Sequence, residues 1–377
     1  MRVTLSAFGR FMTRRLRMIT LLVGMKAILL AGGKGTRLRP LTIHTPKPIV
    51  PIFDRPFLHY QLDLLKQVPE IDEVILSLNY QPRRIEEIFG AGDSAGIAIR
   101  YVVEPAPLGT AGAVRYAGES LHESVVVFNG DVLTEVDLAA VIAMHRERKA
   151  RATIVLTPVE NPSAYGLVET DRQGNILRFV EKPKPDEITC DTINAGIYVL
   201  EPDTFDRIPS GMPYSIERSF FPSLIERSET FVAYVDRGYW IDIGTPEKYM
   251  QVHRDIMDGR FKPRHGSPFN GAPAAWVSPH ARVEEGVELT PPCFVDDGAV
   301  IKTGARIGPY SVVGRQCHLE EHAAVERAIV WANTRISQDA TVSRSILGRH
   351  CHIGRRVHID DGVVLGDKSV VTDYSRL

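Results

Sequence analysis

The sequence predicts an α/β domain built on a mostly parallel sheet, followed by a parallel β-helix. Three observations carry this. Strand-like and helix-like segments alternate from residue 26 to about residue 258. The first apolar run, Ala27-Ile28-Leu29-Leu30, feeds directly into a glycine-rich turn, as a buried strand of such a sheet does. From Val277 onward, aliphatic residues recur every six positions, the period of a β-helix coil side.

Residues 1–24 carry Arg2, Arg10, Arg14, Arg15 and Arg17 without an acid, then a short apolar run from Met18. No small-residue cleavage site follows, which argues against a signal peptide. We expect an extension outside the fold, either disordered or the product of a start codon assigned upstream of the true start at Met25 or Met18. The α/β domain is expected to span 25–258. Its strand candidates after Ala27–Leu30 are Val74–Leu78, Ile97–Val103, Val125–Phe128, Ala152–Leu156 and Ile197–Leu200. Helical stretches fall between them at 57–67, 81–89, 110–120 and 136–149. Residues 259–274 are rich in Gly and Pro, lack periodicity and are expected to be a linker.

The β-helix is expected over 275–377. Val277, Val283, Leu289, Val295, Ile301, Ile307, Val313, Leu319 and Val325 share one phase. A five-residue step leads to Val330, Ile336 and Val342, and another to Leu347, Ile353, Ile359, Leu365 and Val371. With about a quarter of positions aliphatic, nine successive hits arise by chance on the order of once in 10⁵. Each hexad would form one flat side of a triangular coil. Glycines at 286, 298, 304, 308, 314, 348, 354, 362 and 366 are expected at the corners.

Composition narrows the class. Hydrophobic residues make up 44% and charged residues 24%, as in a soluble globular protein with a proper core. The net charge of −1 implies no general attraction to nucleic acid or anionic membrane, and no apolar run reaches spanning length. Cys190, Cys293, Cys317 and Cys351 lie far apart without a Cys-x-x-Cys pair, which fits a reducing cytoplasm better than disulfides or zinc.

The segment Leu30-Ala31-Gly32-Gly33-Lys34-Gly35-Thr36-Arg37 is the most informative stretch. A strand running into such a turn lets backbone N–H groups approach an anion closely. Lys34 and Arg37 beside it suggest a polyphosphate, and Lys47 between Pro46 and Pro48 adds a third cation. It is neither a P-loop, because Gly35 follows Lys34, nor a dinucleotide fingerprint, because position 38 is leucine. A tight strand-to-helix turn without a ligand is the plain alternative.

The string from Gly32 to Thr42, with Thr45-Pro46-Lys47-Pro48 after it, resembles the signature of the sugar-1-phosphate nucleotidyltransferases, most of all the mannose-1-phosphate guanylyltransferase (GDP-mannose pyrophosphorylase) branch. The resemblance runs from about Met25 to the C-terminus. It implies a Rossmann-like nucleotidyltransferase domain followed by a left-handed β-helix of hexapeptide repeats. It also implies transfer of a nucleotidyl group from a triphosphate, GTP in this branch, to a sugar 1-phosphate such as mannose 1-phosphate.

Residue roles follow from the same resemblance. Leu30, Ala31, Gly32, Gly33, Gly35, Thr36 and Arg37 would hold the nucleotide, with Glu104, Gly109 and Thr110 at the base. Arg37 and Lys47 would neutralise the departing pyrophosphate. Asp131 and Asp242 would hold Mg²⁺, a hard ion suited to carboxylate and phosphate oxygens. Gly166, Glu181, Lys182 and Asn194 would bind the sugar phosphate, with Lys182 on the attacking phosphate. Read without the resemblance, Asp131 and Asp242 are turn or cap residues, Glu181-Lys182 a solvated pair, and Asn194 a turn cap. An ionised glutamate accepts hydrogen bonds only, which suits the two adjacent donors of guanine.

Three rivals stay open. One keeps the chemistry with UTP or dTTP and glucose 1-phosphate. A second is a catalytically silent regulatory homologue. A third adds acyl transfer on the β-helix through one of His318, His322, His350, His352 or His358. The exposed coil ends of a β-helix need covering, so a homo-oligomer through that domain is expected.

Overall fold

The structure is a computed structural model and describes residues 24–264, 269 and 273–377. The expected N-terminal extension, apart from Gly24, and much of the expected linker lie outside the described residues.

The first part opens with β1 (Met25–Leu30) and the small hairpin β2 (Pro51–Ile52) and β3 (Arg55–Pro56). Next come α1 (Leu58–Leu65), β4 (Ile71–Leu78), α2 (Pro82–Phe89), β5 (Ala98–Val103), α3 (Gly109–Ala117), β6 (Val125–Asn129) and β7 (Val132–Thr134). The chain continues through α4 (Leu138–Glu147), β8 (Ala152–Pro158), β9 (Gly166–Thr170), β10 (Ile176–Glu181) and β11 (Thr192–Leu200). It closes with α5 (Phe221–Glu226), β12 (Phe231–Val235), β13 (Trp240–Asp242) and α6 (Pro246–Met257).

Strands β5, β4, β1 and β6 form a parallel block in that order. The sheet then turns mixed. Strand β11 joins β6, β8 and β9 antiparallel, and β10 pairs antiparallel with β9. The expectation of a mostly parallel sheet therefore holds fully for the first half of the domain. The second half is mixed: β11, β9 and β10 pair antiparallel, which needs no helical crossover, while β12 returns parallel to β8. Helices cover both faces: Leu62, Ile85 and Val141 pack on one, Val114, Phe221 and Leu224 on the other.

Residues 275–371 form a triangular parallel β-helix of short strands. Val277, Val295, Val313, Val330, Leu347 and Leu365 lie on one sheet, and Val283, Ile301, Leu319, Ile336, Ile353 and Val371 on the second. Leu289, Ile307, Val325, Val342 and Ile359 line the third. The aliphatic period thus marks every coil side, including both five-residue steps. These sheets are consistent with the left-handed form.

The corners are a correction. Gly286, Gly298, Gly304 and Gly362 do adopt left-handed backbone, but most equivalent corners are held by larger residues, among them Tyr310, Gln316, Asn333 and His350. Gly308, Gly314, Gly348, Gly354 and Gly366 lie outside that conformation. A regular coil forces the left-handed turn whatever the residue, so composition alone does not mark it.

The two parts share a core. Leu38, Leu41, Phe53, Tyr249 and Ile256 pack with Phe294, Val312, Ile329, Trp331 and Ile346 of the β-helix. Among the described residues, no helix is long and apolar enough to cross a membrane.

Candidate active site

Parallel pairing brings the key loops together. Leu30 at the end of β1 is level with Asn129 at the end of β6, so the glycine loop lies beside Asn129-Gly130-Asp131. The Gly130 N–H donates to the Leu30 carbonyl at 3.0 Å. Asn79 follows β4 and Glu104 follows β5 on the same edge. These are the carboxyl ends of neighbouring parallel strands, where such sheets bind ligands.

A cavity of about 540 Å³ opens there. Leu30, Ala31, Gly32, Gly33, Lys34, Gly35, Thr36 and Arg37 form one wall, joined by Lys47, Asp131 and Gly244. Glu104, Pro107, Gly109 and Thr110 line the same cavity, with a Glu104 carboxylate oxygen 3.2 Å from where a Cβ on Gly32 would stand. All ten residues expected at the nucleotide therefore face one space. Gly33 is informative: a Cβ there would meet nothing of the protein within 4 Å, and its backbone is not left-handed. The fold does not need glycine at Gly33, whereas a ligand lying close on the backbone would.

Glu104 is buried, and its carboxylate accepts from the Ser77 hydroxyl at 3.1 Å and the Leu108 N–H at 3.0 Å. It thereby shapes the turn before α3 as well as facing the cavity. Thr110 is tied outward, its hydroxyl donating to Glu217 at 2.9 Å and accepting from the Ile216 N–H at 2.8 Å.

The cationic end is organised by ion pairs. Lys47 is buried and its ammonium lies 2.9 Å from Asp131. Burial opposes ionisation of Asp131, but Lys47, with Arg37 and Lys248 further off, holds its carboxyl below the usual carboxylate range. Strand β13 pairs with β7, Asp242 opposite Val132, and the Ile243 N–H donates to the Asp131 carbonyl at 2.9 Å. Asp242, at the end of β13, thus sits beside the turn between β6 and β7 that carries Asp131. Asp242 is buried, accepts from the Tyr165 hydroxyl at 3.0 Å and pairs with Lys248.

Lys248 was not legible as a site residue. Burial lowers its affinity for a proton, yet its bonds to Asp242 and Tyr165 outweigh this and raise its pKa. The available signal was Thr245-Pro246, a cap and first-turn pair: the Thr245 hydroxyl accepts from the Lys248 N–H at 3.4 Å. That start puts Lys248 in the first turn, facing back to Asp242. Asn79 and Asn129 also line the cavity and had no distinguishing spacing.

The residues expected at the sugar phosphate lie on β9, β10 and β11, with Lys182 just after β10, outside the lining of this cavity. A Cβ on Gly166 would come within 2.7 Å of the Phe179 ring and 3.0 Å of the Glu181 carboxylate, so glycine there lets β9 and β10 close around Glu181. Burial, then the nearby Glu217 charge, raises the Glu181 pKa. Lys182 is exposed with φ of 54°, a strained setting for lysine, and its N–H donates to the Tyr165 carbonyl at 2.9 Å. Asn194 spends its carbonyl on the Gly196 N–H at 2.8 Å and one amide hydrogen on the Tyr198 hydroxyl at 2.9 Å. These contacts cap a turn and leave one amide hydrogen and one carbonyl lone pair of Asn194 for a ligand. Tyr165, adjoining Gly166 and bonded to Asp242, links the two groups.

Among the described residues no three His, Cys, Asp or Glu side chains cluster as a metal site. Two neighbouring carboxylates, each paired with a lysine, are a hard-oxygen donor set that suits an ion sharing its coordination with phosphate.

Comparison with known proteins identifies the family. Residues 26–259 match the family model "Nucleotidyl transferase", and residues 289–377 match "GMPPB C-terminal domain". A mannose-1-phosphate guanylyltransferase of Mycobacterium tuberculosis is 38% identical over 84% of this chain and 83% of its own. A probable mannose-1-phosphate guanylyltransferase 2 of Oryza sativa subsp. japonica is 36% identical over 92% of this chain and 97% of its own. Among solved structures, HddC from Yersinia pseudotuberculosis superposes with a TM-score of 0.52 at 30% identity, over 60% of this chain and 97% of that one. With the family match covering the whole α/β part, the chain belongs to the nucleotidyl transferase family of enzymes.

Proposed function

We propose that this enzyme transfers a guanylyl group from GTP to mannose 1-phosphate, forming GDP-mannose and releasing pyrophosphate. The observation carrying this is the make-up of the cavity lining. A glycine loop with the cations Arg37 and Lys47 and a buried acceptor, Glu104, line one space. The names of the relatives support the choice of sugar and base.

A phosphate oxygen of the sugar substrate attacks the α-phosphorus of GTP. The new P–O bond forms as the bond to the β-phosphate oxygen breaks, and the electron pair leaves with pyrophosphate. That oxygen is already ionised at neutral pH, so no general base is required. Arg37 and Lys47 stabilise the departing charge, and Lys182 draws the sugar phosphate from the opposite side. Each Glu104 oxygen keeps a lone pair beyond its internal bond, enough for the adjacent donors of guanine. Glu181 receives the sugar hydroxyls.

Asp131 and Asp242 would hold Mg²⁺, which when bound offsets the repulsion between two anionic substrates. Chelation is expected to abolish turnover and added Mg²⁺ to restore it; turnover unaffected by chelator would remove the ion from this reading. We further infer a cytoplasmic homo-oligomer. Val370 and Tyr374 on the last coil are each 68% exposed, an apolar end that a second copy would cover. A sedimentation profile that stays monomeric at micromolar concentration would contradict it.

Pyrophosphate release from GTP, ATP, UTP and dTTP, each against mannose, glucose and galactose 1-phosphate, tests the substrates. GTP with mannose 1-phosphate is expected to give the highest kcat/KM. Faster turnover of UTP or dTTP with glucose 1-phosphate would replace both substrates, and no release with any pair would remove the activity.

A further inference from the structure

We infer that Arg349, on the β-helix, is a positioning residue for the cationic end of the active site. This rests on the transfer reaction proposed above. Its guanidinium donates to the Thr45 hydroxyl at 2.5 Å, and that hydroxyl donates to Asp367 at 3.3 Å. Asp367 in turn accepts from the Arg349 N–H at 2.8 Å. Thr45 is buried two residues before Lys47, whose ammonium holds Asp131. The same guanidinium stacks over Trp331, 5.0 Å from the ring centroid. The Trp331 N–H donates to the Tyr249 hydroxyl at 2.9 Å, and Tyr249 adjoins Lys248, the partner of Asp242. One β-helix side chain therefore reaches toward both lysine–aspartate pairs, through Thr45 to the segment of Lys47 and through Trp331 and Tyr249 to the neighbour of Lys248.

The repeat supplies an internal control. One hexad later, Arg355 and Asp373 reproduce the backbone bond, Arg355 N–H to Asp373 at 2.8 Å. There the guanidinium folds back onto its own aspartate at 3.1 Å and stays exposed. Arg349 instead leaves its coil for the catalytic domain. A coil needs only the backbone bond, so the outward reach of Arg349 serves its neighbour.

The test uses the full chain with Arg349→Ala, Thr45→Val, the double variant, Arg349→Lys and Arg355→Ala. Pyrophosphate release and calorimetric GTP binding are measured on each. Both single variants are expected to lower kcat roughly tenfold, with KM for mannose 1-phosphate within about twofold of wild type. The double variant is expected to fall no further, because the two act as one unit. Arg349→Lys is expected to recover part of kcat, and Arg355→Ala to leave it unchanged. Wild-type kcat in both single variants, multiplying losses in the double, or an equal loss in Arg355→Ala would overturn the proposal while the transfer reaction stands. A wild-type chain that neither binds GTP nor releases pyrophosphate would overturn the reaction and this inference with it.

Discussion

At the scale of single residues, the glycine loop and its cations separate two kinds of requirement. Gly33 faces open space, so Gly33→Ala is expected to leave the melting temperature unchanged. It should raise KM for GTP by roughly tenfold, equivalent to about 1.4 kcal/mol. An unchanged KM would mean that no ligand lies on that backbone. Arg37→Ala is expected to reduce kcat by roughly 10²-fold or more, the scale of one preorganised electrostatic contact. Wild-type turnover in that variant would remove Arg37 from the chemistry. The loop residues were legible in the sequence because glycines and cations crowd into one short string. Lys248 was not, because its link to Asp242 crosses a strand-to-helix turn that neither a period of two nor one of 3.6 describes. Asn194 shows the opposite limit: its residue type fits sugar binding and turn capping alike, and its turn-capping bonds leave capacity for both.

At the scale of elements, α6 fixes the junction between the two parts. His253 on α6 is buried, its Nε2 accepting from the Phe53 N–H at 3.2 Å while Nδ1–H donates to the Tyr249 carbonyl at 2.9 Å. Both nitrogens are engaged in the neutral ring, and burial pushes the pKa down to about 4. The unfolded chain takes up this proton below about pH 6.5, whereas the folded chain refuses it until about pH 4. Stability from the neutral ring is thus complete above pH 6.5 and falls as the pH drops toward 4, by up to roughly 3 kcal/mol. Denaturant titrations of wild type and His253→Gln across that range should show a shallower acid loss in the variant; parallel curves would contradict this. The elements that periodicity marked have the expected type, with ends off by a few residues, but β9, β10 and β12 were not among the strand candidates. Strand direction was not legible for β11, because its short apolar run Ile197–Leu200 does not reveal the neighbour's orientation.

At the scale of the whole molecule, the hexad period exposed the β-helix in full, since every coil side repeats one inward aliphatic residue. The shared core between the parts was invisible, because residues such as Leu41, Phe53 and Trp331 belong to no period. Each buried side chain of this kind contributes about 1.5–3 kcal/mol, so losing several matches the whole stability of a domain. A fragment ending at Arg264 is therefore expected to be insoluble or to lose cooperative unfolding. A soluble fragment with a sharp transition would show that the β-helix is an accessory rather than half of a joint core.

The most direct test of the central claim is a crystal structure of the chain with GTP and Mg²⁺. The expected result has the triphosphate against Gly32 to Arg37, guanine beside Glu104, and the ion between Asp131 and Asp242. A nucleotide bound outside this cavity, or one seated in it with both aspartates still paired only to Lys47 and Lys248, would contradict it.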